Sequence, residues 1–256
     1  MNAPPSAPEP SRATAATRSY MTGVMSLGVI CGIVDATCLL ALGGVFAERM
    51  TGNLLLLSVF LGAGELSSER LVAYVGAIAP FMMGALAAGI ATNGRHPHAA
   101  RVVGYRVEWV FIVAATVTAV IVSAGIPGDQ SESLFLTDGI IDEDMIPPPA
   151  RLVIVGLLAF AMGIHNALMR RHGVSDVATN VLTLTLAGLV SESRLARGVS
   201  TQWQRRLGSI LLYMVGAVIG AALLRWDVSA PLVAASILFT IVLWPLTRGP
   251  RPAPVT

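Results

Sequence analysis

Eight apolar segments carry most of this chain, at roughly 20–46, 52–64, 70–92, 107–126, 151–169, 177–191, 207–225 and 230–247. Crossing a bilayer takes about 20 apolar residues at a helical rise of 1.5 Å each. Six segments meet that length, and the second and sixth fall short. Lipid offers the backbone no hydrogen-bond partner, so only helices and closed barrels span it. The runs are continuous, aliphatic and glycine-rich rather than alternating, which selects helices. Composition agrees. Of 256 residues, 12% are charged and 54% hydrophobic, whereas a soluble domain is about a quarter charged. The fold class is therefore an all-α membrane protein, with six transmembrane helices and two short broken or re-entrant ones.

Both short segments open on polar residues: Thr51, Gly52 and Asn53 before one, Ser175, Asp176, Thr179 and Asn180 around the start of the other. Loop charge tests how they run. Basic residues occupy 12–18, 95–106, 170–172, 194–206 and 248–251, while the stretch from Asp129 to Asp144 holds six acids and no base. If every segment crossed, the positive-inside rule would be violated at 93–106 and 127–150. If both short segments return to the side they entered from, every strongly basic loop becomes cytoplasmic. That topology has both termini inside. The chain then divides into a Pro/Ala/Ser-rich disordered tail (1–19), a first membrane half (20–126), an acidic external loop (127–150), a second half (151–247) and a short tail (248–256). The first apolar run is too long for a signal peptide and carries a mid-run charge, so it reads as a retained span.

Each half then reads span, broken element, span, span, and the halves start from opposite sides. Gly32-Ile33-Val34-Asp35-Ala36 pairs with Gly163-Ile164-His165-Asn166-Ala167, and Tyr74-Val75-Gly76-Ala77 with Tyr213-Met214-Val215-Gly216-Ala217. Two inverted repeats with discontinuous helices are a transporter architecture. The matches are short and rich in Gly and Ala, which leaves coincidence open.

The run Gly32-Ile33-Val34-Asp35-Ala36, followed by Gly43-Gly44-Val45-Phe46 and Thr51-Gly52-Asn53, resembles the YoaK-type family of bacterial inner-membrane proteins. The second-half run Met162 to Ala167, with Arg170-Arg171, Gly173 and Asp176 to Thr179, is similar to that family's second signature. The resemblance covers about 20–247. It departs at His165, where the family commonly has Gln, and at Ala178 to Leu184, where a Thr-rich run is usual. The resemblance implies a multi-span inner-membrane protein and supplies no established activity.

Asp35 is the sharpest single residue, because an aspartate at mid-helix costs about 2.5–3.5 kcal/mol on insertion scales. It must face a partner, water or the bundle interior. One reading makes it a protonatable or cation-pairing group coupled to transport. The other ties it structurally to Arg49, Asn53 or Asn166. Thr51-Gly52-Asn53 can cap the half-helix that follows and present N–H groups to an anionic ligand, or can simply start a shortened helix at the surface. Asp176, Thr179 and Asn180 are the weaker counterpart. His165 can shuttle protons near neutral pH, although with Asn166 it reads first as interhelical packing. The expected substrate site is thus Asp35, Thr51, Gly52, Asn53, His165, Asn166, Asp176, Thr179 and Asn180. Gly28/Gly32 and Gly216/Gly220 are small-residue seams, for helix packing first and a homo-oligomer second.

Several functions are disfavoured. Cys31 and Cys38 lie seven apart with no zinc spacing, and they read as core thiols. His96 and His98 flank a proline, and the acidic loop lacks EF-hand spacing, so neither a metal nor a cofactor is expected. No P-loop, nucleophile elbow or HExxH is present, which argues against an enzyme. The basic loops are orientation signals rather than a nucleic-acid surface. The expected partners are the lipid bilayer and a small-molecule or ion substrate. The leading expectation is a small-solute transporter or permease; the alternative is a non-transporting scaffold or stress-associated component with purely structural polar residues.

Overall fold

The computed structural model describes residues 10–94, 97–125, 146–171, 182–191 and 203–248. Eight helices follow in order: α1 (Pro10–Ala41), α2 (Met50–Ala63), α3 (Ser68–Thr92), α4 (Pro97–Ser123), α5 (Pro148–Arg171), α6 (Leu182–Ser191), α7 (Trp203–Leu223) and α8 (Ala230–Arg248). The described residues include no strand, and six helices are long and apolar enough to cross a membrane. The chain is therefore an all-helical multi-span protein.

Two boundaries differ from the sequence expectation. α1 starts at Pro10 rather than near residue 20; a proline fits a first helical turn, and Ala13, Ala15 and Ala16 are strong helix formers. α4 starts at Pro97 rather than 107, so Arg101 and Arg106 lie on a helix, not in a loop. The Arg101 guanidinium stacks 4.7 Å from the centroid of Tyr20 on α1. Most of the acidic stretch, 126–145, lies outside the described residues.

α1 and α5 form the centre. In each, 67% of a membrane-length window is buried, against 17–33% in the other four spans. α1 packs chiefly on α7 and α8, whereas α5 packs chiefly on α3 and α4. Glycine makes the closest approaches possible. A Cβ on Gly32 would overlap the Tyr213 carbonyl, and one on Gly216 the Val29 carbonyl. On the other side, Gly163 abuts the Phe81 carbonyl and Gly84 the Phe160 carbonyl. Both seams are backbone-to-backbone contacts of the small-residue kind used where lipid supplies no hydrophobic drive. Gly84, not Gly76, thus has the environment of Gly216. Tyr74 stacks near Phe60 while Tyr213 reaches Asp35. The Tyr74–Ala77 pairing read from the sequence is out of register with this packing.

Contacts along the helices give their directions. Gly216 meets Val29 and Gly220 meets Ile33, so α1 and α7 run parallel. Gly76 meets Leu152, Gly84 meets Phe160 and Asn93 bonds Arg171, so α3 and α5 run parallel. α4 runs against α5, through Gly104–Leu168, Glu108–His165 and Phe111–Phe160. It also runs against α8, through Trp109–Thr240, Thr116–Ser236 and Ser123–Asp227. α7 and α8 are joined end to start across 224–229. It follows that α1 is antiparallel to α3, and α5 to α7. The connection carrying α2 begins and ends at one face; the connection carrying α6 begins and ends at the other.

Leu54, Leu55, Val59, Met82, Met83, Leu86, Val218 and Ile241 are among the exposed apolar side chains and face where lipid lies. Trp226 at one end of the bundle and Trp203 and Trp244 at the other are exposed as interfacial anchors.

Candidate functional site

α1 ends at Ala41 because Gly43 and Gly44 follow with φ of 93° and 70°, a left-handed turn that other residues resist. The chain then descends irregularly to Arg49 before α2 begins. Its depth follows from what it meets. Glu48 lies with Cys31 and His165 so that their ligand atoms are all within 4.8 Å of one another. Cys31 is ten residues before the end of α1, about 15 Å at helical rise, or half the hydrocarbon core.

Irregular backbone at that depth survives only if its polar groups are satisfied within the protein. Two side chains do this. The Asp35 carboxylate accepts the N–H groups of Ala47 (3.1 Å) and Glu48 (2.9 Å) on Oδ1. On Oδ2 it accepts the Tyr213 hydroxyl at 3.0 Å and faces Arg49 Nε at 3.7 Å. The Arg49 guanidinium lies 4.1 Å from the centroid of the Tyr213 ring. Asn53 mimics a paired backbone, its Oδ1 accepting from Phe46 N at 2.8 Å and its Nδ2 donating to Phe46 O at 2.7 Å. Three successive N–H groups, at 46, 47 and 48, are thereby satisfied by Asn53 and Asp35.

This corrects the capping expectation for Thr51-Gly52-Asn53. Arg49 occupies the cap position of α2 and makes no side-chain cap hydrogen bond. Thr51 is exposed in the first helical turn. Gly52 lets the Phe46 ring close over it, since a Cβ would sit 2.9 Å from that ring. Asn53 reaches backwards rather than forwards. The carboxylates of Asp35 and Glu48 lie near the positive end of α2, which they complement electrostatically.

A second group meets beside this clamp. His165 on α5 pairs its Nδ1 with Glu108 Oε1 on α4 at 3.0 Å, and its Nε2 lies 3.9 Å from Cys31 Sγ on α1. Glu48, Glu108, His165 and Cys31 are all buried to within 2% exposure. Asn166 is buried, but its recorded bond runs within α5, to Met162 O at 2.9 Å. The structure thus brings His165 into a polar centre and leaves Asn166 beside it. Asp176, Thr179 and Asn180 lie outside the described residues.

Sequence reading missed Glu108 and Glu48. Glu108 was hidden at the edge of an apolar segment, two residues from Arg106; the signal was a helix extending back to Pro97. Glu48 stands just before the Thr51-Gly52-Asn53 turn, and only the course of the chain after α1 brings it inwards.

A cavity of about 350 Å³ opens at the face where α1 ends, lined by Leu42 and Val45 of the descending segment and by Glu69, Arg70, Arg151 and Leu152. Arg151 and Glu69 pair across it at 3.2 Å. None of the four centre residues lines it. Val45 lies on its wall, three residues before Glu48.

The family described as "Protein of unknown function (DUF1275)" matches residues 23–244. The chain belongs to this family. It is 26% identical over 219 residues to the UPF0700 transmembrane protein YoaK of Bacillus subtilis (strain 168), covering 81% of this chain and 84% of that protein. No solved structure matches. The YoaK-type resemblance read from the two signatures agrees with this assignment.

Proposed function

We propose that the protein is a transporter or permease for a small solute or ion, with its site at the polar centre between the two halves. The observation that carries this reading is the meeting of Cys31, Glu48, Glu108 and His165, from α1, the descending segment, α4 and α5, at half membrane depth. Ionisable groups at that depth are expensive and mark solute or proton pathways by default. Supporting it, α1 and α5 run in opposite directions, and each packs by glycine on the third helix of the other half. Inverted repeats around a midplane site would have this disposition. The cavity beneath Glu69 and Arg151 would be the vestibule on one face. Arg170, Arg171, Arg205, Arg206 and Arg248 gather at the other face, which the positive-inside rule makes cytoplasmic.

Asp35 serves this reading indirectly. Its oxygens are engaged by backbone, Tyr213 and Arg49, so the coupling role passes from Asp35 to the Glu108–His165 pair. Flux of candidate cations and small solutes into proteoliposomes would compare wild type, Glu108→Gln and His165→Gln. Loss of flux in folded variants is expected. Unchanged flux in both would remove the centre from the pathway, and a wild type that moves no solute would favour the scaffold alternative.

A further inference from the structure

We propose that Cys31, Glu48 and His165 form a binding site for a borderline-soft divalent cation of the zinc class. The three side chains come from α1, the descending segment and α5, and each offers one ligand atom within 4.8 Å of the others. Tetrahedral zinc bonded at about 2.3 Å to sulfur and about 2.0–2.1 Å to nitrogen holds those two ligand atoms about 3.6 Å apart. Cys31 Sγ and His165 Nε2 stand 3.9 Å apart. That pair needs to close by only a few tenths of an ångström, and the Glu48 carboxylate, within 4.8 Å of both, would swing in to complete the set.

The second observation concerns the histidine's other nitrogen. A metal-bound imidazole almost always gives its far N–H to a carboxylate, which fixes the tautomer and aims the free lone pair. Glu108 holds His165 Nδ1 at 3.0 Å; in the tautomer that donates Nδ1–H to this carboxylate the lone pair is on Nε2, the atom turned towards Cys31. Glu108 Oε2 is buried with no hydrogen bond among the described residues. An ionised carboxylate there would call for compensation, which a cation on His165 would supply. Thiolate and imidazole together select zinc-class ions over calcium or magnesium, which take oxygen ligands. Three protein ligands leave a position open, as suits an exchangeable ion.

As a transport substrate, the ion rests on the function proposed above; as a bound ligand, it does not. The test therefore has two parts. The full chain, purified in detergent micelles, is titrated with Co²⁺ as the optical stand-in for Zn²⁺, with helicity confirmed by circular dichroism. One equivalent should bind with a thiolate-to-cobalt charge-transfer band that Zn²⁺ displaces. Cys31→Ser should abolish the band, and Cys38→Ser, outside the cluster, should leave it. Glu108→Gln should weaken binding about 10–100-fold. A folded wild type with no such band overturns the proposal, as does a band that survives Cys31→Ser; the 3.9 Å contact would then be a thiol–imidazole hydrogen bond alone. Zinc uptake into proteoliposomes is read separately. Binding without uptake upholds the site and overturns zinc as cargo, while uptake lost in Cys31→Ser upholds both.

Discussion

Removing the Asp35 side chain should cost far more than removing its charge. Its Oδ1 is the acceptor for two backbone N–H groups, of Ala47 and Glu48, in a segment buried at mid-membrane. Asp35→Ala leaves both without an acceptor. Each orphaned buried donor costs about 1–3 kcal/mol, which sums to about 2–6 kcal/mol. Asp35→Asn keeps a carbonyl oxygen where Oδ1 stood, and Tyr213 can turn its hydroxyl to accept from the amide. It forfeits only the attraction to Arg49 at 3.7 Å and the charge assistance, together about 1–2 kcal/mol. At about 2–4 °C per kcal/mol for a chain of this size, the alanine variant should melt well below the asparagine variant. Thermal denaturation of the purified protein in one detergent, followed by far-ultraviolet circular dichroism, measures the order. Equal midpoints for the two variants would refute the clamp. In that case charge rather than acceptor geometry would be what the site needs.

Other expectations follow from the same packing. Gly32→Ala should destabilise by about 1–3 kcal/mol, because its Cβ meets backbone of α7 that cannot yield. Gly62→Ala, with nothing within 4 Å, should be neutral or stabilising by up to about 1 kcal/mol; denaturation midpoints separate the two. Asp227, in the turn between α7 and α8, is partly buried, which alone would raise its pKa; donors from Ser123 and Ser229 outweigh this and hold it below the ordinary carboxylate value. Its contribution to stability is therefore present above the unfolded pKa of about 3.9 and fades as pH falls through the lower folded value. Asp227→Asn should flatten that acid limb in a melting-versus-pH series and cost about 1 kcal/mol at neutral pH, given its exposure. On a background with Cys31 and Cys38 replaced, single cysteines at Gly64 and Ser67 should label from one side of sealed vesicles and those at Arg206 and Arg248 from the other; labelling of Ser67 and Arg248 from the same side would mean that α2 crosses.

The architecture was legible because lipid makes hydropathy almost decisive. Six runs long enough and two too short became six long helices and two short ones, and loop charge alone required the short ones to return. Asp35 was legible for the same reason, a carboxylate standing in an apolar run. Its task was not. The sequence shows that Asp35 needs partners but not that they are backbone groups twelve and thirteen residues ahead, because the course of residues 42–49 depends on tertiary closure. Asn53 was similarly noticed for the right physical property and given the wrong direction of bonding. Glu108 escaped because helix boundaries are set by ends as well as hydropathy; the basic residues before it resembled a loop, and Pro97 was a start signal eleven residues upstream.

The clamp and the polar centre are parts of one construction. A segment that enters the membrane without helical hydrogen bonds must borrow acceptors, and Asp35 lends them at Ala47 and Glu48. Anchoring the Glu48 N–H fixes its Cα, and with it the position from which the carboxylate meets Cys31 and His165. Asp35 is therefore a positioning residue for Glu48. The division predicts different failures: loss of the Asp35 acceptor should loosen the segment and the centre together, whereas Glu108→Gln should spare the segment and alter only the histidine. Comparing Co²⁺ affinity with melting temperature across Asp35→Asn, Asp35→Ala and Glu108→Gln would separate the two. In the Asp35 pair affinity and stability should fall together, and in Glu108→Gln affinity should fall while stability stays. If Asp35→Ala lost stability but kept full affinity, the descending segment would not be what holds Glu48 in place.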